Sequence, residues 1–276
     1  LAAEPLRYNR QVRVAVALLA LGVAWGQAPL ENTGKPMRVE SPCSEEDIRA
    51  LGLTCTAEHP CPVYLELAQM ERVGEKIFLT GNLHTEAVTL MSVLLASADG
   101  GKNWHEPHER IRAAGLDQIQ FLDYEAGWAA GYVLQPLPRD PFLLLTSDGG
   151  KIWRRRPIWG ESKVGAIEHF WFEDRKHGLL WMDRTSSADG GRYEFYESMT
   201  GGESWMLRQV VDRLGAKPAG RPPNPNWRLR ADAATKSYLI EQRAPKWQTV
   251  ASFLIAVGEC KETVAETPPP AEVPPK

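Results

Sequence analysis

At 276 residues, with 43% hydrophobic and 24% charged side chains, the chain is long enough for one large domain or two small ones and too apolar for wholesale disorder. A formal net charge of −3 gives no electrostatic reason to expect a nucleic-acid or anionic-lipid partner. Ten tryptophans are many for this length, and several of them are regularly spaced.

Arg10 and Arg13 precede an apolar run from Val14 to Trp25, which is followed by Gly26, Gln27 and Ala28. A basic flank, a short apolar stretch and small residues after it form the layout of a secretory signal. The run falls short of the roughly 20 residues that a membrane helix needs. Residues 1–28 are therefore expected to be a signal peptide and the mature protein to be periplasmic or secreted. An uncleaved N-terminal anchor and a buried helix are the competing readings.

Residues 29–61 hold three of the four cysteines, Cys43, Cys55 and Cys61; the fourth, Cys260, stands far downstream. An even number in an oxidising compartment reads as two disulfides, with three possible connectivities. A bond from Cys260 to one of the early three would clamp the ends of the domain together, and Cys55 with Cys61, or Cys43 with Cys55, would close a local loop. The spacings are not those of a zinc site and no histidine clusters with them, so no metal is expected, nor any cofactor. Ser44-Glu45-Glu46-Asp47 predicts a short helix here, with acids in its first turn.

Internal repeats occupy the middle of the chain. Ser97-Ala98-Asp99-Gly100-Gly101-Lys102-Asn103-Trp104, Thr146-Ser147-Asp148-Gly149-Gly150-Lys151-Ile152-Trp153 and Ser198-Met199-Thr200-Gly201-Gly202-Glu203-Ser204-Trp205 align, and their tryptophans fall 49 and then 52 residues apart. Each is an Asp box, or BNR repeat: the hydroxyl and carboxylate side chains can bond N–H groups within a turn, glycine permits positive φ, and the tryptophan starts the return strand. Ser97, Asp99, Gly101 and Trp104, then Thr146, Asp148, Gly150 and Trp153, then Ser198, Gly202 and Trp205 are expected to be structural. A strand-like run precedes each box, and Phe121-Leu122-Asp123 with Gly127-Trp128 is echoed by Phe172-Glu173-Asp174 with Gly178 to Trp181. Tyr238-Leu239-Ile240, leading through Arg243 to Trp247, reads as a fourth unit without its box. Strand, turn, strand, loop, strand, Asp-box hairpin, strand is the pattern of a propeller blade. Residues 62–260 are thus expected to form an all-β, propeller-like domain of about four blades, either a compact ring or an open arc closed by the Cys-containing ends. Ala216–Asn226 reads as a Gly/Pro-rich loop and 261–276 as a Pro-rich disordered tail.

The succession Gly127-Trp128-Ala129-Ala130-Gly131 and then Leu144-Leu145-Thr146-Ser147-Asp148-Gly149-Gly150-Lys151-Ile152-Trp153 resembles the photosynthesis-system-II assembly/stability factor family, a wider group of exported Asp-box propellers. The resemblance spans roughly 62–257 and is sharpest from Gly115 to Trp153. It implies a non-catalytic propeller that binds a protein, a membrane-protein precursor in that family, through an arginine-rich surface. The family has seven blades and this chain about four, so what carries over is a protein-binding propeller rather than a photosystem role. Protein is the expected partner, a membrane protein included, with neither nucleic acid nor a small-molecule cofactor.

Asp boxes also occur in sialidases and other glycoside hydrolases, which makes a hydrolase the alternative function. Such an enzyme needs an arginine cluster for the substrate carboxylate and a nucleophile paired with an acid. Arg156-Pro157-Ile158 stands in the wrong place for it. Asp99 and Asp148 read as turn residues, and Asp123, Glu125, Glu173 and Asp174 as caps of bends between strands. His105 and His108 flank Pro107 in a polar loop. The most suggestive charge cluster is Arg154-Arg155-Arg156, alternating across a strand, with Arg110 and Arg112 after the first box and Arg208 after the third. As solvated edge protection it needs no ligand; as a stripe across adjacent blades it would accept an acidic peptide. A purely structural surface protein is the third option.

Overall fold

The computed structural model describes residues 29–184, 191–215 and 224–262. The expected signal peptide, most of the expected Gly/Pro-rich loop and nearly all of the expected tail lie outside them. The described residues begin with strand β1 (Leu30–Glu31) and helix α1 (Glu45–Ala50). Ser44 caps α1 with a capping box: its hydroxyl accepts from the Asp47 N–H at 3.1 Å and the Asp47 carboxylate accepts from the Ser44 N–H at 3.0 Å.

Four antiparallel sheets come next. Blade one contains β2 (Cys61–Val73), β3 (Lys76–His84) and β4 (Thr89–Ser97); the short β5 (Asn103–Trp104) after them pairs with β1. Blade two contains β6 (Ala114–Phe121), β7 (Gly127–Leu134), β8 (Pro138–Thr146) and β9 (Arg154–Pro157), and blade three β10 (Ala166–Phe172), β11 (Gly178–Asp183), β12 (Tyr193–Ser198) and β13 (Met206–Val211). Blade four has three strands, β14 (Trp227–Asp232), β15 (Ser237–Arg243) and β16 (Trp247–Leu254). The last strand, β17 (Ala256–Cys260), returns to pair with β2, placing Cys260 opposite Cys61. This is the all-β, propeller-like architecture that the repeats imply, with four blades.

A blade cannot cover its own apolar faces, so neighbours must stack. Phe78 and Leu94 of blade one meet Leu116, Phe121 and Trp153 of blade two. Trp128, Leu143 and Leu145 of blade two meet Phe170, Phe172 and Leu180 of blade three. Trp227, Ile240 and Phe253 of blade four pack on Leu65, Ile77 and Leu79 of blade one, with Met37, Val39 and Ile48 of the N-terminal segment in the same cluster. Among the described residues no such cluster joins blade three to blade four. Apolar contact therefore runs from blade three through two and one to four.

Glutamine side chains tie the innermost strands as backbone groups would. Gln69 of β2 donates to the Ile119 carbonyl of β6 at 3.1 Å and accepts from its N–H at 3.0 Å. Gln120 of β6 makes the same pair of bonds to Phe172 of β10, both 2.9 Å.

The two disulfides are Cys43–Cys260 and Cys55–Cys61, with sequence separations of 217 and 6. The first joins the segment before the blades to the strand that ends them. A crosslink stabilises chiefly by restricting the unfolded chain, and more so for a longer loop. Replacing Cys43 and Cys260 together by Ser is expected to cost about 3–5 kcal/mol, and replacing Cys55 and Cys61 distinctly less. Urea unfolding of the two double variants, read by tryptophan fluorescence, checks the order.

Candidate functional site

The Asp boxes are closed hydrogen-bonded turns. In the second box the Thr146 hydroxyl accepts from the Gly150 N–H at 3.0 Å, and Asp148 Oδ1 accepts from the N–H groups of Lys151 at 3.0 Å and Ile152 at 3.1 Å. The Trp153 indole N–H donates to the Gly150 carbonyl at 3.1 Å. Ser97, Asp99, Gly101 and Trp104 repeat the arrangement in the first box. In the third, the Thr200 hydroxyl takes the place of the carboxylate, accepting from the Ser204 N–H at 2.9 Å, and Ser198 accepts from the Gly202 N–H at 2.9 Å. The Trp205 indole N–H finds no acceptor among the described residues.

Each turn also seats on a neighbour. Gly150 has φ +84° and lies on Phe78 of blade one, so that an added Cβ would come within 2.5 Å of the ring. Lys76 Nζ of blade one donates to the Gly149 carbonyl at 2.8 Å, and the Trp128 indole of blade two donates to the Gly201 carbonyl of blade three at 2.8 Å. At the first box this role falls to Asn32 beside β1, whose amide donates to the Gly101 carbonyl at 2.9 Å and to Val250 of blade four at 2.7 Å. Gly150→Ala combines a φ that L residues rarely adopt with overpacking, and is expected to cost on the order of 2–4 kcal/mol. Thermal denaturation beside the exposed-site control Gly160→Ala, where a Cβ meets nothing within 4 Å, measures it.

These turns leave no reactive carboxylate. The N–H and side-chain amide of Asn103 hold the Asp99 carboxyl well below the ordinary range. Burial works against the depression at Asp148, yet the N–H groups of Ile152 and Lys151 and the Thr146 hydroxyl hold it low as well. Asp123 accepts from the Ala126 and Glu125 N–H groups, both at 2.8 Å, and holds Arg175 at 2.9 Å. Asp174 accepts from the Lys176 and His177 N–H groups and from the His177 ring. Asp232, held by Thr235 and Arg230, is lowered to about 2. A carboxylate whose folded pKa lies below its unfolded value near 4 contributes stability above that value and loses it as the pH falls toward the folded one. The protein is therefore expected to lose stability on acidification below about pH 4. Urea midpoints measured across pH should show a shallower acid slope for Asp99→Asn with Asp148→Asn.

The arginines of the sequence motif answer to separate acidic neighbours. Arg154 and Arg156 of β9 both reach Glu203 in the third Asp box, at 2.8 and 2.5 Å. Arg155, on the opposite face, lies 4.2 Å over the Phe142 ring. Arg110 is buried against Glu106, and Arg112 holds Glu46 and Asp47 of the α1 segment, each at 3.0 Å. Arg208 pairs with Glu197 of its own sheet. Two guanidiniums on one carboxylate, with Arg155 beside them, leave the β9 edge positive, but Arg110 and Arg112 serve other contacts. Glu203 lies 47 residues beyond Arg156, so the sequence motif alone does not reveal this pairing.

The inner strands of all four blades enclose a cavity of about 1280 Å³. Its lining includes Arg72 of β2, Gln118 of β6, Glu168 and Trp171 of β10, Trp227 of β14 and Tyr238 of β15. The Arg72 guanidinium lies 4.7 Å over the Trp227 ring. Glu66 accepts from the Asn82 amide at 2.9 Å. Burial raises the Asp117 carboxyl above its ordinary range, against a hydrogen bond from Tyr132; Asp117 does not line the cavity. Among the described residues no group of three or more His, Cys, Asp or Glu could hold a metal ion, and no helix is long and apolar enough to cross a membrane. Apart from its glutamines, the residues lining the cavity differ from blade to blade, so no repeat in the sequence marks them. The inner-strand glutamines, spaced as the boxes are, carried the one signal that could have located it.

No protein-family model matches the chain, and no curated protein matches it. Among solved structures it is similar to YCF48 bound to D1 peptide, with 17% identity and a TM-score of 0.38, over 69% of this chain and 56% of that one. It is similar to YCF48 from Cyanidioschyzon merolae, with 16% identity and a TM-score of 0.35, over 69% of this chain and 57% of that one. A Penicillium chrysogenum alpha-L-arabinanase complexed with arabinobiose has 12% identity and a TM-score of 0.36, over 81% of this chain and 66% of that one. The chain thus spans little more than half the length of the two YCF48 chains.

Proposed function

We propose that this chain is a non-catalytic binding protein that works outside the cytoplasm, where it holds a segment of another protein and helps assemble or stabilise an envelope or membrane-protein complex. The observation that carries this reading is the central cavity. Its volume of about 1280 Å³ exceeds the roughly 300–1,000 Å³ of small-ligand pockets. Its wall mixes Trp171 and Tyr238 with charges of both signs, Arg72 and Glu168. Aromatic surface beside polar groups suits a peptide of mixed composition, whose apolar side chains bury while its backbone and charges find partners. The β9 arginines, with Glu203 as a displaceable partner, offer a second, electropositive contact for an acidic stretch of the same client. Both cysteine pairs are oxidised, as suits an oxidising compartment.

Trp171 belongs to none of the three apolar clusters, so its removal tests the cavity without dismantling the fold. Capture of a membrane-protein partner from the protein's own envelope fraction is expected to fall by roughly tenfold or more in Trp171→Ala, the loss typical of a buried aromatic anchor. The triple change Arg154→Ala, Arg155→Ala, Arg156→Ala should weaken capture less and in a salt-dependent way. No captured partner, together with turnover of a sialoside or arabinoside that Glu168→Gln abolishes, would replace this reading with a glycoside hydrolase.

A further inference from the structure

The outer edges of the four blades are finished differently. On blade one, β4 is covered by the chain that comes after it: Ala96 and His105 exchange both backbone hydrogen bonds, and the Ser92 N–H donates to the Ile111 carbonyl at 2.9 Å. On blade two, β9 reads Arg154-Arg155-Arg156-Pro157, and charge and proline both discourage a further strand. On blade four, the N-terminal segment covers β16: the Met37 N–H donates to the Ser252 carbonyl and the Leu254 N–H to the Met37 carbonyl, both 2.8 Å.

Blade three has no such cover, and the one irregularity of its outer strand is a bulge at Arg208, which has no register partner on β12. Among the described residues, no backbone hydrogen bond from another element reaches the free edge of β13. The strand is exposed over five of its six residues. It carries Met206, Leu207 and Val210, which are 55%, 46% and 40% exposed. A row of open backbone groups flanked by apolar side chains is a template for one more strand.

We infer that this edge takes β13 of a second copy of the chain, the two strands pairing antiparallel about a two-fold axis. The pattern Met206-Leu207-Arg208-Gln209-Val210-Val211 reads apolar, apolar, polar, polar, apolar, apolar in either direction, as an isologous contact requires. With the axis between Arg208 and Gln209, Met206 meets Val211 of the second copy, Leu207 meets Val210 and Arg208 meets Gln209. Sliding one residue one way sets Arg208 against Arg208, and one residue the other way sets Arg208 against Val210; both are unfavourable pairs. The face assignments agree independently. Leu207 and Val210 lie opposite Tyr196 and Glu194 on one face of the sheet, and Met206 and Val211 opposite Glu197 and Tyr193 on the other. Residues that pair in the proposed register therefore share a face. The joined sheet would run through eight strands, four from each blade three, with the two Arg208 bulges beside the axis.

A six-residue edge buries less than a standard interface, so the dimer is weak: largely one chain at roughly 1 µM and two chains at roughly 100 µM. Sedimentation equilibrium of the full chain over that range is expected to show the change in mass. Leu207→Lys with Val210→Lys should stay monomeric throughout with a Tm lowered by no more than a few degrees, since both side chains are 40% or more exposed and a lysine stem can lie along the same surface. Leu207→Cys with Val210→Cys should form a reducible dimer under mild oxidation, in which peptide mapping finds position 207 of one chain joined to position 210 of the other. A wild-type chain that is monomeric across the range, a dimer that survives the lysine pair, or a 207–207 crosslink would overturn the inference. So would a monomer whose lysine variant loses capture of an unrelated apolar peptide, because the edge would then serve a different protein. None of these results depends on Trp171 or the cavity.

Discussion

Gly150 lies flat on the ring of Phe78 because it carries no Cβ, and Phe78 belongs to the neighbouring sheet. That contact sets the distance between blades. Glycine can adopt φ +84° there, and the Thr146 hydroxyl and Asp148 carboxylate hold the turn in shape by satisfying its N–H groups. The turn then offers a flat, sealed underside to the adjacent ring, and the Phe78, Phe121 and Trp153 rings close around it. Gly202 meets Leu143 and Trp128 of blade two in the same way, and Gly101 meets Val250 and Ala251 of blade four. The Asp box is thus as much a joint between blades as a hairpin within one. This explains why its carboxylates are held ionised and fully bonded, and why they are poor candidates for chemistry.

At the inner end of the blades a different kind of joint does the same work. Gln69 and Gln120 bond both backbone groups of a residue on the next inner strand. An amide is the right size for this, since it presents one donor and one acceptor in a plane, as a peptide unit does. With the sheets pinned at both ends, the inner strands cannot close on one another, and the cavity between them is a consequence of that geometry. Gln69 and Gln120 themselves line the cavity, so the joints fix part of its wall, and the other residues facing it are free to vary.

The repeats and their tryptophans were legible in the sequence because a turn requires its residues at fixed positions within eight residues. The helix after Ser44 was legible for the same local reason. What escaped depends on residues brought together from afar. Arg156 and Glu203 lie 47 apart, and Asn32 joins a carbonyl on blade one to another on blade four across 69 and 218 residues. The disulfide pairing had three candidates until Cys43 and Cys260 were placed. Charge clusters mislead in the same way: Arg110 and Arg112 read as partners of Arg154 to Arg156, yet Arg110 turns inward to Glu106 and Arg112 to the helix segment.

Among the three blades that carry an Asp box, blade three departs most from the pattern, and its departures have a common direction. Its box has Thr200 in place of the aspartate and exposes Met199. Its outer strand has apolar residues where blade two has three arginines and a proline. Its remaining face has no apolar cluster joining it to blade four among the described residues. Edge protection is costly to give up, because an unprotected strand invites indiscriminate pairing. Blade two shows that this chain has the means to protect an edge, and β9 keeps those arginines in order by tying two of them to Glu203 on blade three itself. The sheet that supplies this anchor for its neighbour's charged edge leaves its own edge apolar. An outer strand under no demand for contact would be expected to collect lysine and proline. One that keeps Met206, Leu207 and Val210 in solvent is better understood as a surface held for another strand.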